Sequence, residues 1–122
     1  MTEITVNLDE IEIKTAKALV NHGAKEWIAD EVAKAVRVAE AEGNKICGLY
    51  YLESYCNQLK SGRVDGKVDP EVKKVSGSSV YVDAKLGFAQ PAFSKGLTLA
   101  VELAKKNGIS LFSIGHSHTC TS

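Results

Sequence analysis

Residues 43–62 read GNKICGLYYLESYCNQLKSG, and where helix and turn fall in this stretch decides how the chain is put together. Gly43 follows one amphipathic segment and Gly62 closes the next. Between them lie two of the three cysteines and three of the four tyrosines. Leu49, Leu52, Cys56 and Leu59 recur at helical spacing, which predicts a helix over about 49–61 with these four as its buried face. No other segment mixes so many reactive side chains with so much apolar surface.

Upstream, residues 3–6 (EITV) read as a short strand or an extended lead-in. A helix is expected from about Leu8 to Val20, capped by Asn7, with Asp9 and Glu10 at its positive end. Asn21-His22-Gly23 ends it. A second helix is expected from about Lys25 to Glu42. There Ile28, Val32, Ala35, Val36 and Ala39 make one stripe.

Downstream, RVDGKVDP reads as a loop, and the period then changes. Glu71–Val75 and Ser79–Asp83 read as two strands of a hairpin turning at Ser76-Gly77-Ser78. Pro91 suits the first turn of a fourth helix that runs to about Lys106. Phe93, Leu97, Ala100, Val101 and Ala104 form one stripe of it, and Leu99 with Leu103 a second, which predicts cover on two sides. Ile109–Ile114 reads as a buried strand. The class is α+β: helices, a hairpin, a helix and a strand. The 122 residues suit one domain, a helical part over 1–62 and the start of an α/β part over 63–122. A buried strand running straight into a polar end suggests part of something longer.

Fifteen basic and fifteen acidic side chains cancel, so neither nucleic acid nor an anionic membrane is an expected partner. No apolar run is long enough to span a bilayer, and the acidic N-terminus lacks a signal pattern. Three irregularly spaced cysteines read as reduced thiols of a cytoplasmic protein.

Two constellations carry chemistry. At the end of the chain His116, His118 and Cys120 alternate, so a continued strand would place them on one face. Metal ligands, a polar loop at the sheet edge and an active-site loop are all open readings, and no metal is assigned. The last gains weight because open α/β sheets bind ligands at the carboxyl ends of strands. In the opening stretch, Cys47 sits near a helix entry, where a thiol pKa falls. It reads equally as a nucleophile or proton donor and as a small buried hydrophobe, whereas Cys56 reads as the latter. Tyr51 and Tyr55 share a face and can bond a carboxylate or carbonyl, or simply pack. Gly87 before a helix could seat an anion, but one glycine is not a phosphate loop.

Three motifs resemble the malate/L-lactate dehydrogenase family of NAD(P)-dependent oxidoreductases, which is distinct from the Rossmann-type lactate and malate dehydrogenases. Its S-H-G-x-x-R-L-P-x-Y segment corresponds to Cys47-Gly48-Leu49-Tyr50-Tyr51-Leu52-Glu53-Ser54-Tyr55 with Ile46 before it. Its V-D-G-x-x-G-x-G-Q corresponds to Val82-Asp83-Ala84-Lys85-Leu86-Gly87-Phe88-Ala89-Gln90. Its G-I strand into N-S-N-H-F-G corresponds to Gly108-Ile109 and then His116-Ser117-His118-Thr119-Cys120-Thr121. Gly48, Leu52, Tyr55, Gly87, Gln90 and Ser117 match. Cys47 stands where the family has its acid/base histidine, Tyr51 where it has an arginine for the substrate carboxylate, and Thr119 where it has a second histidine, with His118 one position earlier.

The resemblance implies the N-terminal part of such a fold, inactive by itself. It implies hydride transfer between NAD or NADP and a small 2-oxo acid, 2-hydroxy acid or cyclic imino acid, in a homodimer or other self-associated form. Cys47 and His118 become the acid/base candidates. Tyr51, Tyr55 and His116 become substrate contacts, and Ser117 and Thr119 cofactor contacts. The competing reading is a non-catalytic α+β interaction module that binds through the apolar edge after Ile114.

Overall fold

The computed structural model describes residues 3–118. Helix α1 spans Leu8–Asn21 and α2 spans Glu26–Ala41. Two 3₁₀ turns, Lys45–Cys47 and Leu49–Tyr51, lead into α3, Leu52–Ser61. Strands β1 (Glu71–Ser76) and β2 (Ser79–Asp83) precede α4 (Ala89–Asn107) and β3 (Leu111–Gly115). The architecture is α+β, as the periodicities predict.

Local chemistry explains the boundaries. The Asn7 side chain accepts from the Glu10 N–H at 2.7 Å and caps α1. Gly62, at φ +81°, takes the left-handed conformation that stops α3. Residues 3–7 form no strand, and Ile4 is 83% exposed. Their backbone finds no partner strand in the sheet, whose order is β1-β2-β3.

Leu19, Ile28, Ala29 and Val32 pack with Tyr55, Cys56, Leu59, Val64 and Phe88 into one apolar cluster. It joins α1, α2 and α3 to the two loops that flank the hairpin. Leu49 departs from the expected face and is 40% exposed. The 3₁₀ geometry of Leu49–Tyr51 winds three residues per turn, so Leu49 leaves the stripe that Leu52, Cys56 and Leu59 keep.

A second cluster holds Val80, Val82 and Ala84 against Ala92, Ala100 and Leu103 of α4. β1 pairs antiparallel with β2, and β2 pairs parallel with β3, Val82 opposite Ile114. The strand expected to be buried is an edge strand instead: Leu111 is exposed, and Ile109 lies before the strand and is also exposed. The helix expected to be covered on two sides meets both the sheet and α2, where Lys95 lies over the Trp27 ring, yet the large side chains of its first stripe are left out. Its small residues Ala92, Gly96 and Ala100 face the sheet, while Phe93, Leu97 and Val101 remain exposed. Small side chains win the buried face because they let the helix approach closely.

Gly96 marks the closest approach. A Cβ there would lie 2.5 Å from Val82 Cγ2 and 2.7 Å from the Phe112 ring. Gly96→Val should therefore destabilise the chain by about 2 kcal/mol or more, since overpacking outweighs the small helix-propensity gain. Urea denaturation followed by circular dichroism measures it, and an unchanged midpoint would contradict this seating of α4.

Candidate functional site

The sheet's parallel pair ends at Asp83 and Gly115, and the two following loops run side by side. Backbone bonds stitch them. Ala84 N–H donates to Gly115 O (2.9 Å), Leu86 N–H to His116 O (2.8 Å), His118 N–H to Gly87 O (2.9 Å) and Ala89 N–H to His118 O (3.0 Å). A third loop joins through Asp65 N–H donating to Leu86 O at 2.9 Å. Three non-glycine residues here, Lys85, Leu86 and His116, take positive φ of 51°, 68° and 51°. Each such residue costs about 1–3 kcal/mol, and strain of this kind gathers at functional sites. No residue type at these positions announces it; Leu86 is an unlikely choice for a left-handed turn.

The turn at His116 also breaks the alternation expected of His116 and His118. His116 Nδ1 reaches Asp83 Oδ1 at 3.1 Å, with the imidazole largely exposed. The same carboxylate accepts from Lys85 N–H at 2.9 Å. That backbone bond, followed by the His116 interaction, holds Asp83 below the usual carboxylate range.

His118 turns the other way. Its ring stands edge-on to Tyr55 and to Phe88, centroids 6.1 Å apart in each case. Tyr55 in turn contacts Phe88 (5.5 Å) and stacks with Tyr51 (6.4 Å, 25° between planes). His118 Nδ1 is sealed from solvent and has no hydrogen-bond partner among the described residues. Burial pushes the imidazole pKa down, and the positive charge of Arg63 adds to this. The structure thus brings together Tyr51, Tyr55 and His118, and sets His116 apart at Asp83. Ser117 is half-buried between the two histidines.

Cys47 is half-buried at the end of the first 3₁₀ turn. It lies five residues ahead of α3 rather than at its first turn, so the macrodipole of that helix acts on it less than the sequence suggests. Next to it, Gly48 is buried because the Glu40 side chain lies across it. The Glu40 carboxylate accepts from Leu49 N–H at 2.7 Å, and a Cβ on Gly48 would run into it. This contact fixes the backbone that carries Cys47 and Tyr51. Cys56 is buried, which raises its thiol pKa and makes it inert. Thr119 and Cys120 lie outside the described residues. Among the described residues no group of three His, Cys, Asp or Glu side chains could hold a metal, and no helix is long and apolar enough to cross a membrane. Arg63 was legible only as part of a loop; no spacing in the sequence links it to His118.

Residues 6–122 match the Malate/L-lactate dehydrogenase family, and the chain belongs to it. The family is one of NAD(P)-dependent oxidoreductases. A Delta(1)-pyrroline-2-carboxylate/Delta(1)-piperideine-2-carboxylate reductase of Pseudomonas syringae pv. tomato is 33% identical over 93% of this chain and 33% of its own length. A (2R)-3-sulfolactate dehydrogenase (NADP(+)) of Chromohalobacter salexigens is 36% identical over 93% of this chain and 34% of its own length. The crystal structure of delta1-piperideine-2-carboxylate reductase from Pseudomonas syringae superposes with a TM-score of 0.91 at 33% identity, covering 95% of this chain and 35% of that one. The chain spans about a third of the length of the relatives it matches.

The lowered pKa of His118 has a consequence for stability. The unfolded imidazole, near 6.5, binds its proton before the folded one does. Stability should therefore fall as pH drops through 6.5 toward the folded value, and be unaffected by this group above it. His118→Phe should flatten that part of the curve in urea denaturation between pH 5 and 8, a window set by the ordinary histidine value. An identical slope in both proteins would contradict the desolvation of this imidazole.

Proposed function

We propose that this chain supplies the substrate-side part of an oxidoreductase that moves hydride between NAD or NADP and a small 2-oxo acid, 2-hydroxy acid or cyclic imino acid. The observation that carries the reading is His118, a half-buried imidazole with a lowered pKa that stands beside Tyr55 at the carboxyl end of a parallel strand pair. The ring as a whole is only half-buried, and its open side is where a substrate hydroxyl or imine would meet it. The relatives named above, reductases of cyclic imino carboxylates and a dehydrogenase of a hydroxy acid, suggest the substrate class.

In this proposal His118 takes the hydroxyl proton of a 2-hydroxy acid and returns it in the reverse direction. Its lowered pKa keeps the base form present at neutral pH. Cys47 is the second acid/base candidate, poorer than an imidazole because an ordinary thiol pKa lies near 8.5. Tyr51, Tyr55 and His116 contact substrate. The nicotinamide, when bound, gives or accepts the hydride. The described residues do not by themselves build a site for its phosphates: at the start of α4 the Gly87 and Ala89 N–H groups already donate to Ala84 O and His118 O. Ser117 and Thr119 are assigned to contact the cofactor. Residues 1–122 are read as one folding unit, helical over 1–62, that works in the cytoplasm as part of a larger active site.

Two measurements test this. The 122-residue chain should oxidise no NADH or NADPH with Δ1-pyrroline-2-carboxylate or pyruvate, and turnover would overturn its incompleteness. Pyrrole-2-carboxylate, a flat mimic of such substrates, should shift the NMR signals of the His118 and Tyr55 rings. Unmoved signals at millimolar ligand would overturn the substrate site.

The exposed row Phe93, Leu97 and Val101, with Leu111 at the sheet edge, favours self-association as a further part of the proposal. It equally suits the non-catalytic interaction module. Sedimentation equilibrium should give a dimer that Leu97→Asp converts to monomer; a monomeric parent chain would remove this element.

A further inference from the structure

The ring cluster that faces the proposed substrate has no charge of its own. Tyr51, Tyr55 and Phe88 carry no formal charge, and the half-buried His118 imidazole has its pKa pushed down, which favours its neutral form. A carboxylate substrate brought there would lose water without gaining a counter-charge, which disfavours binding. A cation must stand close by if the site is to take carboxylates.

The loop after α3 provides one. Arg63 follows the left-handed Gly62 directly, so it leaves the helix at the turn. The next residue, Val64, is buried in the same apolar cluster as Tyr55 and Phe88. Val64 N–H donates back to Gln58 O on α3, and Asp65 N–H donates to Leu86 O, whose own N–H donates to His116 O. The loop is thereby pinned at both ends: to the helix that carries Tyr55 and to the loops that carry His118. Arg63 sits at that seam, exposed, and its guanidinium makes no ion pair among the described residues.

Several other cations are already paired. Lys25 is committed to Asp69, Arg37 to Asp9 and Glu12, and Lys85 to Glu71. We infer that Arg63 is the carboxylate-binding residue of this site, its guanidinium reaching over the seam to pair with the 2-carboxylate of a substrate whose hydroxyl or imine meets His118. A guanidinium offers two parallel N–H groups to a carboxylate, which orients as well as attracts it. The tyrosine at position 51 offers a hydroxyl without charge, so Arg63 complements it. The influence of Arg63 on the His118 imidazole agrees with this proximity. The inference rests on the substrate class proposed above.

The test uses the full 122-residue chain and three variants of one position, followed by NMR at low salt. Removing the charge in Arg63→Gln should raise the His118 pKa and weaken pyrrole-2-carboxylate binding about tenfold, the usual effect of losing a charge-assisted hydrogen bond. Arg63→Lys should keep the pKa and recover part of the affinity, because it keeps the charge and loses the fork. Arg63→Glu should weaken binding further. The neutral pyrrole-2-carboxamide should bind the parent chain and Arg63→Gln alike. Carboxylate that binds Arg63→Gln as well as the parent, or a His118 pKa that does not move, would overturn the role of Arg63 and leave the His118 site standing. A parent chain that binds no carboxylate at His118 would overturn the substrate reading and this inference with it.

Discussion

The backbone seam between the loops 63–65, 84–89 and 115–118 is the constraint on which the rest depends. Five N–H donors across it, from Asp65, Ala84, Leu86, His118 and Ala89, tie three segments that are distant in sequence. Phe88 and His118 extend the parallel pairing of β2 and β3 by one isolated bridge beyond the strands themselves. The helical cluster around Tyr55 and the sheet cluster around Val82 also meet where α2 packs on α4, but it is the seam that lays His118 against Tyr55. The three left-handed residues are the conformational cost of closing it.

The seam also separates two histidines that are neighbours in sequence. His116 turns outward to Asp83, in an open and charged setting; His118 turns inward, into an apolar one. Identical side chains two residues apart thus receive opposite environments. Desolvation acts on the inner one, and desolvation disfavours its charged form. Its Nδ1 is left without a hydrogen-bond partner among the described residues. Cys47 and Tyr51 are placed from another direction, by the Glu40 carboxylate over Gly48. Their backbone is therefore set by α2, which packs against α1 and is remote from the sheet.

Helix α4 shows how packing overrides a reading by stripes. Two apolar faces are written in its sequence, and either could have been buried. The sheet takes the face with Ala92, Gly96 and Ala100, because β2 presents branched Val80 and Val82 and leaves no room for larger partners. The larger side chains Phe93, Leu97 and Val101 then face outward. The residues of β3 are apolar enough for a central strand, yet among the described residues it pairs with β2 alone.

Residue order and type determined the helices, the hairpin and the α+β class, because caps such as Asn7, stops such as Gly62 and the switch from helical to alternating period at Glu71 are local signals. The motifs around Gly48, Tyr55, Gly87, Gln90 and Ser117 likewise resemble those of the malate/L-lactate dehydrogenase family, to which the chain belongs. What the tertiary structure alone decided was which candidates meet. Tyr51, Tyr55 and His118 are brought together, His116 is drawn off to Asp83, and Arg63, unremarkable in its loop, is carried to the seam. Those outcomes depend on backbone bonds between residues twenty or more positions apart and on one left-handed turn at His116, and neither leaves a periodic trace in the chain.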